Sequence, residues 1–87
     1  MEHFVPSQVK LNDLFHIYSM NKFANRFYEL RKENGYSRSY VAEKLFVSVR
    51  LISYWENGKR ECDFNMLIKI SDFFGVSIDY LLGKKDF

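Results

Sequence analysis

Val47-Ser48-Val49-Arg50-Leu51-Ile52-Ser53-Tyr54-Trp55-Glu56-Asn57-Gly58 decides how this chain folds. Ser48 suits a helix N-terminus, because its hydroxyl can accept from a backbone N–H that has no partner within the helix. Gly58 suits the other end, because it enters the left-handed region without a Cβ penalty. Between them the sequence predicts a helix of about two turns over 49–57. Ile52 and Trp55, three apart, lie on one face, and Val49, Arg50, Ser53 and Tyr54 lie on another. Just upstream, Ser37 caps a second short helix, Arg38 to Leu45, with Val41, Ala42 and Leu45 inward. Only Phe46, Val47 and Ser48 separate the two helices.

Two short helices joined by a three-residue turn have the sequence shape of a helix-turn-helix, whose second helix enters the major groove of DNA. On that reading the outward residues of the second helix meet base edges. Further helices surround this pair. Asn21 is placed to cap a helix from Lys22 to Asn34, with Phe23, Phe27 and Leu30 inward and Gly35 as its stop. Asp63 caps a helix from Phe64 to Phe74, with Leu67, Ile70 and Phe74 inward and Gly75 as its stop. Ser77 caps a last short helix through Leu82, ended by Gly83. Near the start, Pro6 blocks a helix before it and Ser7 can cap one after it. Leu11, Leu14, Phe15 and Tyr18 then follow the i, i+3, i+4, i+7 spacing of an amphipathic helix over about 8–19. No segment sustains period-two alternation, so an all-α fold without a sheet is expected.

The 87 residues suit one domain, and 47% apolar content with nine Phe and six Tyr is enough for a core. Net charge is only +2, but its distribution is uneven. From Tyr36 to Arg60 the basic residues Arg38, Lys44, Arg50, Lys59 and Arg60 face only Glu43 and Glu56, so this window carries +3 and the remainder −1. The positive charge lies where nucleic acid is expected. Cys62 is the sole cysteine, which excludes an internal disulfide and a cysteine-rich metal site and fits a reducing compartment. No apolar run reaches membrane-spanning length, and Met1-Glu2-His3-Phe4 does not begin a secretory signal. The expected location is therefore the cytoplasm, with the nucleoid, and no membrane contact is expected. His3 and His16 stand at no metal-binding spacing, and there is no glycine-rich phosphate loop or Ser/His/Asp arrangement. Neither metal, cofactor nor catalytic residue is expected, and the chain is not read as an enzyme.

The run from Phe27 to Gly83 resembles the Xre-type (Cro/cI-type) helix-turn-helix transcription regulators. The matching pieces, in the family's order, are Leu30-Arg31, Ser37, Val41-Ala42-Glu43-Lys44-Leu45, Val47-Ser48, Ile52-Ser53, Trp55-Glu56-Asn57-Gly58-Lys59-Arg60 and Val76-Ser77-Ile78-Asp79-Tyr80-Leu81-Leu82-Gly83. Three positions depart from the family pattern. Phe46 stands where the turn usually has Gly, so it is either strained or held by packing. Arg38 replaces the usual Gln at the start of a helix that touches the DNA backbone. Cys62 stands where Pro is frequent.

The resemblance implies a five-helix lambda-repressor-like DNA-binding domain over 22–83. It would be preceded by an extension, 1–21, carrying the extra amphipathic helix, and followed by a short tail, 84–87. It implies base readout by Val49, Arg50, Ser53 and Tyr54. Arg50 has the best chemistry, a fork that matches O6 and N7 of guanine, and Val49 suits either a thymine methyl or packing at the helix start. Backbone contacts are expected from Arg38, Ser39, Asn57, Lys59 and Arg60. Arg31 and Glu56 match family positions that form a structural ion pair. Trp55 reads as core, and Leu51 as half exposed near the groove.

The implied function is a sequence-specific double-stranded DNA-binding transcription regulator, expected to be a repressor. One such unit contacts few base pairs, so a homodimer on a near-palindromic operator is expected, with Ile78, Tyr80, Leu81, Leu82 and Phe87 as the loosely assigned interface. The alternative is a protein-interaction module on the same fold, antitoxin-like or an adaptor subunit. The stripe of Leu11, Leu14, Phe15 and Tyr18 is the surface that would favour a protein partner.

Overall fold

Four helices start where a small polar side chain offers an acceptor. Ser37, Ser48, Asp63 and Ser77 all have extended backbone, and their side chains accept from the N–H of Tyr40, Leu51, Met66 and Tyr80. A computed structural model describes the backbone over residues 11–87 and the side chains from residue 22 onward. It contains α1 (Leu11–Glu33), α2 (Arg38–Leu45), α3 (Val49–Glu56), α4 (Phe64–Phe74) and α5 (Ile78–Leu81), with no strand among the described residues. None of these helices is long and apolar enough to cross a membrane.

The sequence predicted two helices before Gly35, divided at Asn21, whereas the chain forms one continuous helix, α1. Nothing between Ser19 and Lys22 is glycine or proline, and asparagine inside a helix costs less than about 0.7 kcal/mol. A break there would open two more helix ends, each with backbone groups to satisfy. Continuing the helix is the cheaper solution. The expected helix start at residue 8, the arm over 1–6 and His3 lie outside the described residues, as do the side chains of Leu11, Leu14, Phe15, His16 and Tyr18.

The core forms where all five helices meet, with α2 contributing Val41, Ala42 and Leu45. Phe27, Val41, Ile52, Ile70 and Leu81 have no exposed surface, and Leu45 and Trp55 are almost as deep. Trp55 meets the rings of Phe23 and Phe27 edge-on at 6.5 and 5.7 Å, and Phe27 meets Phe74 edge-on at 5.5 Å. Such tilted aromatic contacts add to the roughly 1.5–3 kcal/mol that each buried large apolar side chain contributes. Trp55 Nε1 finds no acceptor among the described residues, so the ring is held by packing at the cost of one unsatisfied donor.

α5 closes the core with Leu81, so Leu81 cannot also serve as an exposed dimer contact. Ile78 and Tyr80 are half-buried, leaving only Leu82 and Phe87 exposed among the five residues considered for that role. Arg26 of α1 fastens the end of the chain. Its Nη1 donates to the carbonyls of Tyr80 and Lys85 at 2.8 and 3.0 Å, and its guanidinium lies 4.1 Å from the centre of the Tyr80 ring.

Candidate nucleic-acid interface

α2 and α3 end in the same backbone device, built from different residues. At the end of α3, Gly58 takes the left-handed conformation, its N–H bonds to the carbonyl of Trp55, and Lys59 N–H bonds to that of Tyr54 at 2.9 Å. At the end of α2, Phe46 takes that conformation (φ 60°), its N–H bonds to Glu43, and Val47 N–H bonds to Ala42 at 3.0 Å. Both are Schellman-type ends. A non-glycine residue in this region costs roughly 1–2 kcal/mol. Phe46 is 85% exposed, so the residue is strained and no burial offsets the cost. Lys69 helps to hold the junction, donating from Nζ to the Leu45 carbonyl at 3.2 Å while lying 5.0 Å from the centre of the Phe46 ring.

The turn sets α3 with Ile52 and Trp55 in the core and its opposite face outward. On that outer face Val49 and Arg50 are exposed, while Ser53 and Tyr54 are half-buried. Leu51 is half-buried and packs against the core. A shallow depression beside the helix is lined by Ser48, Arg50, Leu51, Tyr54 and Arg60, and a neighbouring one by Tyr54, Lys59 and Arg60. The Arg60 guanidinium sits 5.4 Å from the centre of the Tyr54 ring. The loop after α3 therefore brings a second arginine beside Arg50, a juxtaposition that sequence spacing did not indicate. Asn57 Nδ2 donates to Ser53 Oγ at 3.3 Å, so these two residues are tied to each other on the free surface. Ser39 is exposed in the first turn of α2, and Lys59 is exposed beyond α3.

Behind this surface lies a charged cluster. Arg31 Nε donates to Glu56 Oε2 at 2.5 Å and Nη2 to Oε1 at 3.1 Å, while Nη1 donates to the Tyr36 carbonyl at 2.9 Å. The hydrogen bond to Glu56 holds the Arg31 guanidinium above its ordinary range. Arg38 joins the same carboxylate, Nε to Oε1 at 3.0 Å. The family resemblance implies a DNA-backbone contact for Arg38, and the structure gives its Nε a protein partner as well. Residues 18 apart on different helices leave no periodic signal that would have revealed this contact. Lys44 lies on the exposed side of α2 with Nζ 5.3 Å from the centre of the Tyr40 ring.

Cys62, at the position where the resembled family often has Pro, is half-buried, and burial pushes its thiol up to about 11. It is a poor nucleophile near neutral pH.

The sequence profile described as Helix-turn-helix matches residues 27–81. The chain is 39% identical over 61 residues to the HTH-type transcriptional regulator ImmR of Bacillus subtilis (strain 168), covering 70% of this chain and 48% of that protein. It is 37% identical over 65 residues to the HTH-type transcriptional activator BcrR of Enterococcus faecalis, covering 75% and 32%. Against the SPbeta prophage-derived HTH-type transcriptional regulator YonR of B. subtilis (strain 168) it is 37% identical over 60 residues, covering 69% and 56%. The matched region thus spans between about a third and just over half of each of these relatives. With α2, its strained turn and α3 set on a shared aromatic core, and with the profile running from Phe27 in α1 to Leu81 in α5, this chain belongs to the helix-turn-helix family.

Proposed function

We propose that this chain is a sequence-specific double-stranded DNA-binding transcription regulator that reads the major groove with α3. The observation that carries the reading is the two-sidedness of α3. Ile52 and Trp55 fix it in the core, while Val49 and Arg50 stand in solvent with Lys59 and Arg60 beside them. Exposed basic residues bordering a rigid helix supply both parts of recognition: phosphate neutralisation for affinity and base-edge contacts for specificity. Arg50 is the proposed reader of guanine, Val49 of a thymine methyl, and Ser53 and Tyr54 complete the face. Arg38, Ser39, Asn57, Lys59 and Arg60 are the proposed backbone contacts.

The chain acts as a homodimer, because one helix reads only a few base pairs. Its operator is near-palindromic, with half-sites one turn, about 34 Å, apart. Leu82 and Phe87 are the exposed apolar residues available to that interface from the C-terminal end. Repression is the proposed output, since blocking a promoter by occupancy asks nothing beyond the DNA site. A relative named as an activator makes the sign of regulation a separate measurement. The protein works in the cytoplasm, where its DNA is.

The experiment is selection from random duplex DNA at about 150 mM salt, followed by a salt series on the winning sequence. A near-palindromic site bound by two chains supports the reading. Weak binding without sequence preference overturns it.

A further inference from the structure

Glu56 closes α3, and its side chain is only 1% exposed. A buried carboxylate paired with one arginine forms a neutral unit, but Glu56 receives two. Arg31 uses both oxygens, and Arg38 Nε shares Oε1 at 3.0 Å. The cluster therefore carries one net positive charge, unevenly placed. Arg31 is 8% exposed and has a further acceptor in the Tyr36 carbonyl, whereas Arg38 is 43% exposed. The surplus charge reaches the surface at the first turn of α2, which carries no acidic side chain and where the positive end of the helix dipole adds to it.

We propose that Glu56 is a positioning residue for DNA binding: its buried carboxylate holds Arg38 by Nε and turns the rest of that guanidinium toward a backbone phosphate at the start of α2. The inference rests on the DNA-binding reading above and adds to it the device that sets one contact. A free arginine loses rotamer freedom when it grips a phosphate. An arginine already tied at Nε has lost part of that freedom on folding, and its planar fork keeps the remaining donors in fixed directions. One carboxylate also links α1, the start of α2 and the end of α3, so the phosphate contact and the reading helix share a single rigid reference.

Position and charge make opposite predictions for Glu56→Gln. Removing a negative charge near DNA should tighten binding if only charge matters. It should weaken binding if Glu56 aims Arg38. The test measures affinity for the selected duplex and for a random duplex of equal length, over a salt series, for the wild type, Arg38→Ala, Arg38→Lys and Glu56→Gln, with thermal melts establishing that each variant is folded.

Arg38→Ala is expected to weaken both duplexes about tenfold and lower the salt slope by about one unit. Arg38→Lys keeps the charge but loses the fork, and is expected within about threefold of Arg38→Ala. Glu56→Gln is expected to bind about three- to tenfold more weakly than wild type, against its change in charge. Wild-type affinity in Arg38→Ala would mean that Arg38 only ties helices together, and overturns the proposal. Wild-type affinity in Arg38→Lys, or tighter binding by Glu56→Gln, overturns it as well. If Glu56→Gln does not fold, the Arg38→Lys comparison decides. A wild type that binds neither duplex sinks the DNA-binding reading and this inference together, whereas a binding wild type with an unaffected Arg38→Ala sinks the inference alone.

Discussion

The two sides of α3 treat arginine in opposite ways. On the inner side Arg31 is buried with two donors on Glu56 and a third on a backbone carbonyl. On the outer side Arg50 is exposed beside a shallow depression that it shares with Tyr54 and Arg60. The side chain is the same, yet burial gives it different work. Arg31 supplies two of the hydrogen bonds to the buried Glu56 carboxylate, while Arg50 stands in solvent, where the proposed base contact needs it. On the proposed reading, stability and recognition are divided across the thickness of one two-turn helix, and Arg38 stands between them, tied to the inner cluster and open to the outside.

This division can be broken or sharpened by substitution. The largest effect is expected on the inner side. Arg31→Ala leaves Glu56 buried with only the partly exposed Arg38, and should cost about 3–5 kcal/mol of stability in urea unfolding. A loss below about 1 kcal/mol would mean that Arg38 alone satisfies the carboxylate.

Arg50→Ala should do the reverse. It should leave unfolding stability within about 0.5 kcal/mol while weakening the selected duplex by about 1–3 kcal/mol and relaxing one base preference. Equal losses on selected and random duplexes would remove Arg50 from the readers and make it a phosphate contact.

Phe46→Gly should stabilise the protein by about 1 kcal/mol, because it relieves the left-handed strain at a position where the ring is almost wholly exposed. Thermal melts measure this directly, and destabilisation would show that the ring packs in solution in a way that offsets the strain. Lys59→Ala is expected to have a smaller effect, weakening all duplexes about equally and reducing the salt slope by about one unit.

The smallest effect concerns pH. Cys62 has its thiol raised from an ordinary value near 9 to about 11 in the folded protein. Burial therefore favours the neutral thiol, and this contribution is fully present below pH 9 and fades as pH rises toward 11. The wild type should lose stability over that window relative to Cys62→Ala, and alkylation of the folded protein at pH 8 should be slower than that of the unfolded chain.

Most of the helices were legible because their signals are local. Ser37, Ser48, Asp63 and Ser77 mark helix starts, and each accepts the N–H that such a residue is suited to accept. Gly58 marks an end by its freedom at positive φ. The inward faces of α2, α3 and α4 follow from spacing alone. Asn21 misled for the same reason, since a cap residue carries its signal whether or not the chain breaks there. A continuous α1 is favoured because the alternative leaves two helix ends unsatisfied.

The sequence by itself determined the all-α class, the short helix pair with its turn, the apolar faces and the basic window from Tyr36 to Arg60. These depend on residues within one or two turns of each other, or on simple counting. Only the tertiary structure decided that Arg38 shares Glu56 with Arg31, that Arg60 reaches Tyr54 beside Arg50, that Leu81 belongs to the core, and that Phe46 carries its strain in the open. The Arg38 and Leu81 outcomes depend on how helices distant in sequence are placed against one another, and the other two on how a loop and a turn lie on that frame. That placement is set by the fit of Phe23, Phe27, Trp55 and Phe74 in one core, and packing of that kind leaves no periodic trace along the chain.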